Sequence, residues 1–164
     1  MRSLPVRCVV FVMPLMLASC ASDPREAKIT AVIGFVNTAA TEITAIKDTV
    51  SSAIKKAENK KLDGAELKKA LPSIENLKNL TKEMQKTKQQ IGDLSASTPK
   101  EDRDKLAETF RPKLSAAMAR LDEERRALEK TVLEAEALDS ESVKDLRSKL
   151  TEAEGNFVML ARQR

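Results

Sequence analysis

Histidine is absent from this 164-residue chain, and its only cysteines are Cys8 and Cys20. The usual nucleophile–base pairs of covalent catalysis therefore cannot be assembled. Carboxylate pairs do occur. Glu123-Glu124 and Glu134/Glu136 are chemically able to act as acid and base or to hold a metal. Arg120, Arg125, Arg126 and Lys130 lie at helical spacings from them, so a solvated, ion-paired helix face is expected instead. A ferritin-like metal bundle needs Glu-x-x-His pairs, which this composition cannot supply. The four glycines, at 34, 64, 92 and 155, stand singly, so no phosphate-cradling loop is present. No catalytic residue, cofactor site or metal site is expected, and the chain is not expected to be an enzyme.

Lysines form the other chemical constellation. Lys55, Lys56, Lys60, Lys61, Lys68 and Lys69 cluster in sequence against Glu58, Asp63 and Glu66. Lys78, Lys82 and Lys86 continue at i, i+4 spacing, where like charges cost about 0.2–0.5 kcal/mol per pair. A solvated surface rich in Lys accounts for this pattern. The sharper reading is a patch for an anionic partner, such as a cell-wall polymer or an acidic protein face.

The N-terminus has its own organisation. Arg2 and Arg7 precede an apolar run over residues 8–18, CVVFVMPLMLA. A membrane span needs about 20 apolar residues, so this run is too short to be one. It closes on Leu17-Ala18-Ser19-Cys20, which resembles the lipobox of bacterial lipoprotein precursors. The resemblance implies that residues 1–19 are a cleaved signal peptide and that Cys20 carries acyl chains. It implies a short lipidated tether over 20–23 and a membrane partner reached through those chains. Anchorage by more than one chain is essentially permanent. Ala21, where retained inner-membrane lipoproteins tend to have Asp, implies the periplasmic face of the outer membrane; a Gram-positive cell surface is the alternative. An ordinary secretory signal with Cys20 left as a free thiol is the blander reading.

Processing would change the bookkeeping. Cleavage removes Cys8, so no disulfide can form. It also removes Arg2 and Arg7 from 29 basic residues, leaving 27 against 25 acidic ones. A net charge near +2 gives no ground for a nucleic-acid partner. The remaining 145 residues suit one domain, built from strong helix formers with no Trp or Tyr.

Capping signals and apolar periodicity then divide residues 24–164 into helices of about 24–61, 64–91, 99–138 and 140–162. Asp23-Pro24-Arg25-Glu26 reads as a capping box. A 3-4-3-4 spacing follows through Ile29, Val32, Val36, Ala39, Ile43, Ile46, Val50, Ala53 and Ala57, the pattern of a knobs-into-holes seam. Asp63 and Glu66 form a second box, with Leu62 and Leu67 as its staple. Pro72 should kink or split that helix near Leu71. The stretch from Thr81 to Gln90 has one large apolar residue, Met84, and reads as a loosely packed outer edge. Gly92 to Ser97 reads as a loop, Thr98-Pro99-Lys100-Glu101 as a third cap, and Pro112 as a kink.

Asp139-Ser140-Glu141-Ser142 is the least defined boundary. An unbroken helix over 99–162 would run about 96 Å, too long for its partners to cover. The expected fold is therefore all-α, an antiparallel four-helix bundle with coiled-coil-like seams; a three-helix bundle with a very long last helix is the alternative. The expected function is a membrane-anchored binding or scaffolding lipoprotein of the bacterial cell envelope, with a protein or cell-wall partner. A lipid-handling or secretion-assisting, pilotin-like lipoprotein is the competing reading and predicts an open apolar groove.

Overall fold

The computed structural model describes residues 23–162, with side chains described to residue 155. The expected signal peptide, Cys20, the first residues of the expected tether, and the side chains of Phe157 and Leu160 lie outside the described residues. The described chain is all-helical: α1 (Pro24–Lys56), a one-turn α2 (Gly64–Leu67), α3 (Leu71–Ala96), α4 (Lys100–Glu136) and α5 (Ser140–Arg162).

Each boundary has a local cause. The Asp23 carboxylate accepts the Arg25 backbone N–H at 2.9 Å, and Pro24 fills the first turn, where no N–H is needed. The Arg25 side chain and backbone N–H together hold the Asp23 carboxyl down at about 2. α1 ends at Lys56, earlier than residue 61, because Ala57 turns to extended backbone with ψ of 109°; Asn59 and Lys60 beyond it adopt left-handed backbone with φ of 53° and 59°. Asp63 caps α2 through the Ala65 N–H at 2.9 Å, with Leu62 and Leu67 both buried beneath it. The Glu66 side chain does not close a box. It reaches instead to Lys56 and Lys69.

Pro72 splits the second helix as expected. A 3-10 turn over Lys68–Ala70 precedes α3, and Pro72 sits in the first turn of α3. The expected loop at Gly92 to Ser97 is helical as far as Ala96. Thr98 closes α3 rather than opening α4: its hydroxyl donates to the Leu94 carbonyl at 2.8 Å. The N-cap of α4 is Pro99, with no side-chain cap. α4 runs through the exposed Pro112 as one helix. The turn before α5 is real, and Asp139 caps it by accepting from Glu141 and Ser142 N–H groups at 3.1 and 3.3 Å.

α1 packs against α3 and α4, and α5 packs against the same two helices from the other side. α1 and α3 run antiparallel, as the Lys28–Gln90 and Glu42–Asn76 contacts show (2.7 and 3.1 Å). α4 runs alongside α1 in the same direction, joined by Lys47–Glu124 at 2.7 Å. α5 runs parallel to α3, joined by Lys78–Glu152 at 2.9 Å, and antiparallel to α4, joined by Arg147–Glu136 at 2.9 Å.

The core takes in the α1 stripe from Val32 to Ala53, with Ile29 and Ala57 at its two ends only half-buried. Val36, Ile46, Val50, Leu77, Met84 and Val143 are fully buried. α1 is long and apolar enough to cross a membrane by length and composition, an 18-residue window in it having a mean hydropathy of 1.5, and here its apolar residues line the seams with α3 and α4. The stretch beginning at Thr81 is not a loose edge where α5 crosses it. Met84 is fully buried and Thr81 is 3% exposed. The single Thr81 hydroxyl proton faces two acceptors, the Leu77 carbonyl at 2.8 Å and the Ala153 carbonyl of α5 at 3.1 Å.

Candidate functional surfaces

The turn between α1 and α2 gathers all six lysines at one end of the bundle, and all six are exposed. α1 is 33 residues long, so at 1.5 Å per residue this end lies about 50 Å from Pro24. The patch is not uniformly positive. One carboxylate, Glu66, pairs with both Lys69 and Lys56, at 2.5 and 3.3 Å. Those two ammonium groups hold its carboxyl below the usual range, Lys69 most strongly.

The fold also brings an acidic turn to the same end. Asp139 lies near enough to feel the Lys61 charge; its carboxyl is lowered mainly by the Ser142 hydrogen bond, with Lys61 adding to it. Lys55, Lys60 and Lys68 enter no ion pair among the described residues. A cleft of about 370 Å³ runs through the turn, between Lys56, Lys61 and the carboxylates of Glu58, Asp63 and Glu66. It offers both signs of charge at close quarters, which suits a polar face more than a bare polyanion. Lys78 leaves the stripe to bridge to Glu152 of α5.

The carboxylate clusters are ion-paired or exposed. Glu124 holds Lys47 across the α1–α4 seam, and Glu136 holds Arg147. Arg125 spans Asp122 and Glu129, and Arg126 returns to Asp122. Glu123 and Glu134 are exposed. Among the described residues no group of three or more metal-ligating side chains converges.

Two clefts escaped the sequence reading. One lies between α4 and α5, about 400 Å³ in volume, lined by Leu128, Val132 and Leu150 with Arg125, Arg147 and Glu154. Leu133 stands 58% exposed on its rim. Burial raises the Glu154 carboxyl, with Arg125 opposing and Glu129 adding to the shift. The other cleft, about 240 Å³, opens between α3 and α4 near their shared turn. Ile29, Val32 and Val36 of α1 form its floor; Ile91 of α3 and Leu114 and Met118 of α4 form its walls. Lys88 is the single charged group on its lining. Ile29, Val32 and Val36 lie on the α1 stripe, whereas Met118 and Lys88 stood on no expected face, and the space among them opens where α3 and α4 do not pack directly on each other.

No family model, no curated protein and no solved structure matches this chain.

Proposed function

We propose that this chain is a membrane-anchored lipoprotein of the bacterial cell envelope that acts as a binding or scaffolding protein, built as an antiparallel four-helix bundle with coiled-coil-like seams. The supporting observation is the unbroken course of α1. It separates Pro24, four positions after Cys20 in the sequence, from the lysine-bearing turn by about 50 Å. Lipidation at Cys20 would hold one end at the outer membrane, and the lysine end would reach a partner in the periplasm. The mixed charge of that end, with Glu66, Asp63 and Asp139 among the lysines, suits a polar protein face.

Two experiments test this reading. Metabolic labelling with a palmitate analogue should mark the wild-type protein and not Cys20→Ala; equal labelling of both would end the lipoprotein reading. Crosslinking in intact cells should capture a defined partner that is lost in a variant with Lys55, Lys60 and Lys68 changed to Glu. Capture of bulk neighbours alone, unchanged in that variant, would end the docking reading. A second reading, a lipid-handling lipoprotein, is supported by the apolar cleft between α3 and α4.

A further inference from the structure

The geometry of that cleft points to its occupant: we infer that it binds the acyl chain of a single-chain fatty acid, with the carboxylate paired to Lys88. The inference rests on the lipid-handling reading and names its ligand. Size sets the chain count. A dry apolar cavity of about 150 Å³ accepts one benzene. By the same measure 240 Å³ encloses roughly ten aliphatic carbons, which is one chain and not two. A diacyl lipid would leave its second chain in water.

Charge sets the head group. Six of the seven lining residues are apolar and the seventh is Lys88, which is exposed and makes no ion pair among the described residues. Lys28, the neighbouring lysine, is not on the lining and donates to the Gln90 side-chain oxygen at 2.7 Å. An amphiphile with an anionic head therefore finds the Lys88 cation on the lining itself, and a cationic head would meet that same charge.

The test uses the full chain in zwitterionic phosphatidylcholine vesicles, irradiated with a diazirine analogue of decanoic acid. Adducts are expected within residues 29–36, 88–91 and 114–118. Decanoate should displace them, and decyltrimethylammonium, which has the same chain and the opposite charge, should not. Lys88→Gln should lower labelling about two- to fivefold, the range expected for one exposed ion pair. Ile91→Trp, which fills the cleft, should abolish it without loss of helical signal. Adducts at the cleft that both amphiphiles displace equally, with Lys88→Gln unchanged, would overturn the fatty-acid assignment and leave lipid handling standing. Adducts scattered along the helices would overturn both.

Discussion

Replacing Lys60 with glycine should make the protein more stable, although it removes a whole side chain. Lys60 has φ of 59° and follows Asn59 at φ 53°, ψ 28°. In this region the Cβ crowds the following carbonyl, at a cost of about 1–2 kcal/mol for an ordinary L-residue. Asn59 is of a type that tolerates the conformation, and lysine is not. Glycine removes the clash but has a more disordered unfolded chain, which takes back about 0.5–1 kcal/mol. The net gain expected for Lys60→Gly is about 0.5–1 kcal/mol, because Lys60 is exposed and little packing is lost. In a domain of this size that raises Tm by about 1–4 °C. Lys60→Ala is the control. It removes the same charge from a crowded lysine cluster but keeps the Cβ, so its Tm should stay near wild type. Thermal melts followed by circular dichroism at 222 nm, at low and high salt, separate the two effects. The backbone argument fails if Lys60→Gly melts lower than wild type. It also fails if Lys60→Ala gains as much as glycine, since the relief would then be electrostatic and would shrink with salt.

Leu77 is fully buried on α3 between its neighbours, so Leu77→Ala should cost about 2–5 kcal/mol in urea unfolding, from lost burial and the cavity left behind. Thr81→Val keeps the shape and deletes the proton shared by Leu77 and Ala153; a loss of about 0.5–1.5 kcal/mol is expected, and a clear gain would mean that the hydroxyl does not tie α5 to α3. Glu124 is lowered chiefly by its hydrogen bond to Lys47, so its contribution is present above the unfolded value of 4.5 and fades as pH falls through the lower folded value. Glu124→Gln should therefore be less stable than wild type at pH 7, by about 1 kcal/mol or less, and the two should converge in acid. Glu154 has the opposite sign, since burial raises its carboxyl above 4.5. Its charging opposes folding as pH rises through the folded value, so Glu154→Gln should melt higher at pH 7 and lose that advantage below pH 4.5.

The helical stripes were legible because they repeat. A run such as Val32, Val36, Ala39, Ile43, Ile46 has one geometric solution, and each of these residues is buried. The caps at Asp23 and Asp63 were legible because each depends on a single short-range bond, whereas the Asp139 cap was the least defined boundary in the sequence and only the structure shows the turn there. What escaped depends on partners distant in sequence. Thr81 reads as a surface residue until α5 is laid across it. Gly92 reads as a breaker, yet it is an exposed position in a helix already nucleated and held by its neighbours. The lysine cluster was legible as a list, but its charge was overstated, because Asp139 arrives from 70 or more residues away. An open apolar groove was expected on the lipid-handling reading, but the position of neither cleft was legible. The clefts are spaces between helices, and no residue pattern records how far apart two helices stand.

The burial pattern along α4 also sorts the molecule into two mechanically different ends. Where α5 fills the gap between α3 and α4, α4 buries Ala117, Leu121, Leu128, Val132 and Ala135. Toward the turn between α3 and α4, residues 100–116 bury Leu106 alone. Few buried contacts mean a low free energy of local opening. The lysine end is therefore the firm end and the cleft end the compliant one. At the lysine end Glu66 already holds Lys56 and Lys69, which lowers the cost of ordering those two side chains when a polar face docks. Admitting an acyl chain favours walls that separate at little cost. The two proposed activities thus fall on the parts of the bundle whose packing suits them, and α1, common to both, is the rigid link between them.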